Sequence, residues 1–346
     1  MALDPHRHPA WYGSVMGTGA LALALAAQGS TWSIAWLAPV AFGVLLLASA
    51  LAVILLPRYA GRLGSRDQLM AEIGDPAHGP MLATLPAGLL ILSVGWGRLA
   101  PAYVSEAIAL WIAGILLVLG AVIALTLGLT WSTSVLRGGA GLQGVNGGWL
   151  IPPVMNLIVP LGIAPFIVAF PDQAMLLEIV GFAFLGMGAI LFMAVLTLLI
   201  ARLAMHEPLP APMAPSMWIP LAPAGVLGLG FLRLQQAGIA AHVPGFETVT
   251  MGLIVSAIGI GFGLWWAGFA ALELRRIAKA GGPPRHPGWW GFVFPVAAMA
   301  LSITAVGAAT SVTAINVVGA LATIVLILVW LRVALATLPM LRRSTK

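Results

Sequence analysis

The sequence predicts an all-α polytopic membrane protein of ten transmembrane helices, and three observations carry that prediction. Of 346 residues, 61% are hydrophobic and only 8% are charged, where a soluble globular chain carries about 25%. Mean hydropathy is +1.04. Apolar stretches follow one another along nearly the whole chain, each long enough to cross a hydrocarbon core about 30 Å thick.

Taken in order, the spans fall at about 10–29, 32–56, 78–99, 106–129, 147–170, 174–201, 211–232, 248–272, 288–309 and 312–338. They form a single membrane domain, 1–346, with the bundle over about 10–340 and short tails at 1–9 and 340–346. "LALALAAQGS" (21–30) resembles a signal-peptide core with a small-residue cleavage site. Asp4, Pro5 and Pro9 precede it, however, with Arg7 as the one fixed positive charge, so the stretch reads as the first span. Gly29-Ser30 turns the chain into the second. The longest polar loop is 57–79 and the most basic is "RRIAKAGGPPRHPG" (275–288).

Ten crossings put both tails on one side with the loops after every even span. That side receives Arg7, Arg58, Arg62, Arg66, Arg137, Arg202, Arg275, Arg276, Lys279, Arg285, Arg342, Arg343 and Lys346; the other receives Arg98 and Arg233. The positive-inside rule makes the heavy side cytoplasmic, so both termini are expected in the cytoplasm. The formal charge of +6 is thus a topology signal. It comes with no long basic run or soluble domain, so no nucleic-acid partner is expected. The chain has no cysteine, which excludes disulfides and thiolate metal sites.

The spans repeat in pairs. Trp149 opens "WLIPPVMNL", Trp218 opens "WIPLAPAGV" and Trp290 opens "WGFVFPVAA", about seventy residues apart; Trp11 lies two such steps before Trp149. The missing step falls at "HGPMLATLPAG", beginning at His78. Five helical hairpins follow. Odd spans carry helix breakers: Gly13, Gly17 and Gly19; Pro80 and Pro86; Pro152, Pro153, Pro160 and Pro165; Pro215, Pro220 and Pro223; Pro295. Pro295 lies well inside its apolar segment, where a proline costs roughly 3 kcal/mol. Even spans are nearly free of internal proline; Pro39 lies near the start of one and Pro339 follows the last. Backbone groups freed by proline are tolerated where protein or a water-filled cavity satisfies them, not against lipid. Odd helices are therefore expected in an inner ring around a path, and even helices in an outer ring facing lipid.

"WYGSVMGTGALA" (11–22), "HGPMLATLPAGLL" (78–90), "GGWLIPPV" (147–154), "PSMWIPLAPAG" (215–225) and "WWGFVFPVAAMALS" (289–302) resemble, in order, segments of the tellurite-resistance/dicarboxylate transporter family, which includes plant slow anion channels. The resemblance covers roughly 10–340. It implies a quasi-five-fold arrangement of hairpins around an anion pore, a homotrimer, and a pore phenylalanine on the ninth helix acting as a gate. The matching residue here is Phe294. His78-Gly79-Pro80 departs from the His-Pro that members of the family often carry.

Glu106, Asp172, Glu178, Glu207, Glu247 and Glu273 all fall in loops or near span ends, which leaves no carboxylate relay at mid-membrane. The candidate pore-lining residues are Gly17, Thr18, Thr84, Pro86, Pro152, Asn156, Pro220, Pro223, Pro295 and Ser302, with Phe294 as the gate. Asn156 equally suits a helix–helix hydrogen bond, and Thr18 and Thr84 equally suit bonds to their own backbone. Arg98 and Arg233 read more readily as headgroup or rim charges than as ligands. The histidines lie in loops or at span ends, and no spacing brings three metal ligands together. Neither a serine–histidine nor a paired-acid arrangement occurs at membrane depth, so the chain is not read as an enzyme and calls for no metal or cofactor. The expected function is movement of a small anion (C4-dicarboxylate, tellurite, sulfite or halide) across a bacterial inner membrane. Proton-coupled dicarboxylate uptake is the alternative mechanism, and a non-transporting subunit of a membrane complex the alternative class.

Overall fold

The computed structural model describes residues 8–139 and 141–342; Asp4, Pro5, His6, Arg7, Arg343 and Lys346 fall outside them. Every regular element there is helical. The long helices are α1 (Gly13–Thr31), α2 (Leu37–Ala60), α4 (Thr84–Arg98), α5 (Glu106–Ser134), α6 (Ile151–Ala169), α7 (Ala174–Met205), α8 (Leu221–Ala240), α9 (Thr250–Lys279), α10 (Val293–Thr310) and α11 (Thr313–Arg342). They supply the ten spans long and apolar enough to cross a membrane. The protein is a multi-pass membrane protein.

Three boundaries differ from the sequence reading. The polar loop 57–79 contains a further short helix, α3 (Arg66–Ile73), started by the Ser65 side chain accepting from the N–H of Gln68. Pro57 lies inside α2 and Pro339 inside α11, both within the last turns. Hydropathy marks where lipid ends; a helix continues while its backbone bonds continue, so both helices outrun the apolar stretch.

Burial separates the two kinds of span. In the most apolar window of each odd span, 78–83% of residues are buried inside the protein; in even spans the share is 17–33%. Each odd helix packs along the even helix that follows it. Among themselves, α1 meets α4, α4 meets α6, α6 meets α8, α8 meets α10, and α10 returns to α1. The outward surface of the even helices is large and apolar, with Trp111, Ile190 and Val53 more than two-thirds exposed, as lipid requires. Thr126, Thr130, Thr133 and Thr197 on that surface donate to carbonyls one turn back, so these four hydroxyls are paired in hydrocarbon.

Most prolines of the inner spans do not break helices in the middle. Four inner spans open with a 3-10 segment, at Gly79–Ala83, Gly147–Leu150, Ala211–Trp218 and Pro287–Phe292, before the α-helix begins. Pro86, Pro153, Pro223 and Pro295 are each the third residue of the α-helix that follows. A first-turn N–H has no partner four residues back within its own helix, so proline there sacrifices little and presets φ. Pro295 is thus a helix-start signal, which corrects the reading of it as an interior break. The first span follows the same plan without the proline, with Pro9–Tyr12 leading into α1. Among the described residues, only Pro160 and Pro165 interrupt an inner α-helix, within α6.

Candidate functional site

The even helices return the chain each time, so all five inner helices point the same way and their N-terminal ends gather at one end of the bundle. A cavity of about 360 Å³ lies there. Its wall takes Gly13 and Met16 from the first repeat, Met81 and Thr84 from the second, and Ile151 and Val154 from the third. Ile219 and Ala222 come from the fourth, and Phe294 and Pro295 from the fifth. Each N-terminus carries about half a positive charge from its aligned peptide dipoles. Five converging on one cavity give a positive potential with no arginine, lysine or carboxylate in the wall.

Three of the loops opening the repeats are built alike. Nδ1 of His8 accepts from the N–H of Ala10 at 3.1 Å, Oδ1 of Asn146 from Gly148 at 2.9 Å, and Nδ1 of His286 from Gly288 at 3.0 Å. In the second repeat Nδ1 of His78 instead meets Oδ1 of Asp75 at 3.1 Å. The three histidines come together at the mouth: the His8 ring lies 5.6 Å from that of His78 and 6.2 Å from that of His286, centroid to centroid. Burial lowers the pKa of His8 from 6.5 to about 3, and the nearby His78, His286 and Arg62 push in the same direction. Burial also lowers His286, against the opposing effect of its hydrogen bond to the Pro212 carbonyl. Burial disfavours the charge on Asp75, yet the N–H groups of His78 and Ala77 hold its carboxyl below the usual range. Among the described residues no group of His, Asp and Glu is arranged to hold a metal. Sequence reasoning placed these histidines singly in loops. The available signal was their common position, immediately before the Pro or Gly that opens a repeat.

Of the residues singled out from sequence, Thr84, Phe294 and Pro295 line the cavity. The Phe294 ring is 4% exposed. The Thr84 hydroxyl donates to the Met81 carbonyl at 2.7 Å and lies 3.1 Å from the Tyr59 hydroxyl, which reaches in from α2. Gly17 sits at the α1–α10 contact, where a Cβ would come within 2.9 Å of Val293. Thr18 accepts from the indole N–H of Trp330 on α11 at 3.0 Å, facing the outer layer. Pro86 presents its carbonyl towards Gly120 of α5. Asn156 donates to the Pro152 carbonyl at 3.1 Å, while its Oδ1 and the Ser302 hydroxyl are buried without a partner. Pro220 and Pro223 are buried at the start of α8. The departure at Gly79 also acquires a reason: a Cβ there would lie 2.2 Å from the Ile73 carbonyl oxygen, so α3 can close under the second repeat only over glycine.

One buried acid was not anticipated. Glu178, in the second turn of α7, is 1% exposed and packs under Gly238 and beside Phe246. It lies between α7 and α8, away from the cavity.

Known proteins match most of this chain. An uncharacterized transporter of Methanocaldococcus jannaschii is 28% identical over 302 residues, which is 85% of this chain and 82% of the relative. A second uncharacterized transporter from that organism is 34% identical over 45% of this chain and 44% of its own length. A sulfite efflux pump of Trichophyton rubrum is 25% identical over 94% of this chain and 88% of the pump. Residues 6–338 match the family described as SLAC1, voltage-dependent anion channel. The chain therefore belongs to that family of anion channels and transporters.

Proposed function

We propose that this protein carries a small inorganic oxyanion of the sulfite class along the axis of its five inner helices, with Phe294 as the gate. The observation that carries this reading is the convergence of five helix N-termini on one cavity whose wall includes Phe294 and Pro295. A site that relies on helix N-termini in place of arginine or lysine attracts anions weakly, and weak binding is what conduction needs. The sulfite efflux pumps among its relatives favour sulfite over tellurite, dicarboxylate or halide. The basic loop residues cluster at the cavity end, which favours a cytoplasmic mouth in a bacterial inner membrane with both termini inside. The five hairpins are read as a quasi-five-fold ring, and the assembly as the homotrimer that the family resemblance implies.

The test is anion flux from liposomes containing purified protein, comparing sulfite, malate and chloride. Phe294→Ala is expected to raise flux several-fold with the order of anions preserved. No flux from either protein would favour a non-transporting subunit. Equal flux from both would remove Phe294 from the gate. Flux driven by an imposed pH gradient would favour proton-coupled uptake.

A further inference from the structure

A second cavity of about 360 Å³ lies where inner helices end, and it contains Arg98, Arg233 and Gln236. Its position follows from helical register. On α4, Arg98 is fourteen residues beyond Thr84; on α8, Arg233 is eleven beyond Ala222; on α6, Pro165 is eleven beyond Val154. These spacings are close to four or three whole turns, so each residue shares a face with one lining the first cavity. The two cavities are thus separated by ~20 Å along the same three faces, at 1.5 Å per residue. Between them the same faces carry Ile91, Ile158 and Val226, all buried.

The ends of this path differ electrostatically. The first cavity has helix N-termini, while α4, α6 and α8 bring their negative C-terminal ends to the second. An anion arriving there would be repelled by carbonyl groups alone, and two guanidinium groups stand at that place. Neither has a carboxylate within ion-pair distance among the described residues. Glu106 shares the cavity, but it sits in the first turn of α5, where that helix's own N-terminus answers its charge. Nη1 of Arg233 donates to Oε1 of Gln236 at 2.7 Å, which fixes the guanidinium. Its Nε is out of solvent with no partner. A buried N–H of a charged group left unpaired is costly, and an oxyanion in the cavity would satisfy it.

We infer that Arg98 and Arg233 form a binding site for a small oxyanion at the far mouth of the path. Its role as the far mouth of a path rests on the transport reading above. A guanidinium edge offers paired N–H groups matched to two oxygens, whereas a spherical halide meets only one well. The site should therefore prefer sulfite to chloride. A lipid phosphate offers the same chemistry, so the source of the oxyanion has to be tested too.

Sulfite binding is measured by calorimetry on the purified protein, first in a non-ionic detergent. Arg98→Gln and Arg233→Gln are each expected to weaken binding by about tenfold or more, the scale of one lost charge-assisted hydrogen bond. Arg233→Lys should keep chloride binding and lose the preference for sulfite; this variant also serves if the glutamine variants fail to fold. In liposomes, the variants should raise the half-saturating sulfite concentration at the far side and leave that at the basic side unchanged. Sulfite affinity unaltered in both glutamine variants would overturn the site. Affinity that falls when anionic lipid replaces neutral lipid in nanodiscs would also overturn it, assigning the arginines to headgroups. If the parent binds sulfite but carries no flux, the transport reading fails and the site stands.

Discussion

At the mouth of the first cavity, His8 serves as a backbone cap through Nδ1, a role open only to the neutral ring. Its pKa of about 3 in place of 6.5 means that the folded protein refuses a proton that the unfolded chain accepts. Stability is therefore full above pH 6.5 and falls steadily as pH drops towards 3. Melting in detergent should show this, and His8→Asn, which keeps an acceptor and cannot titrate, should shrink the loss between pH 7.5 and 4.5. An unchanged loss would assign the acid sensitivity to other groups. Asn146 already occupies the corresponding place in the third repeat, so the substitution has a precedent within this chain. The cap positions were legible as a residue type preceding Pro or Gly. The meeting of His8, His78 and His286 was not, because they are separated by seventy to more than two hundred residues and only packing of the loops unites them.

Helix starts explain the prolines better than helix breaks do. Since Pro223 occupies the first turn of α8, Pro223→Ala should cost less than about 1 kcal/mol, chiefly through added freedom in the unfolded chain. Leu229→Pro, in the interior of the same helix, should cost roughly 3 kcal/mol or more. Comparing thermal unfolding of the two variants tests the assignment, and similar losses would refute it. The repeating prolines and their concentration in odd spans are legible in the sequence. Their role is not, because periodicity and hydropathy do not distinguish a 3-10 entry from α-helix. The proline at the third α position is visible only once the start of the α-helix is known.

Across the whole molecule, closure among the inner helices depends on glycine where two backbones touch. At Gly225 on α8 a Cβ would approach the carbonyl of Ala298 on α10 to 2.7 Å, and a backbone group cannot rotate away. Gly225→Ala should destabilise the protein by about 1–3 kcal/mol, as overpacking does, and melting in detergent measures it. A loss near zero would mean that α8 and α10 part without cost. Polar links join the layers as well: Gln28 on α1 donates to Thr304 on α10 at 2.8 Å and to Thr323 on α11 at 3.1 Å. The sequence by itself determined ten spans and the division of odd from even. These follow from local hydropathy and from where lipid forbids unpaired backbone. Tertiary structure alone decided which ends meet. It gathered five helix N-termini and three histidines at one cavity, and it set Arg98 and Arg233 in another on the same helix faces. The physical reason is that a cavity is made by side chains from different repeats, and no window along the chain contains the contacts between them.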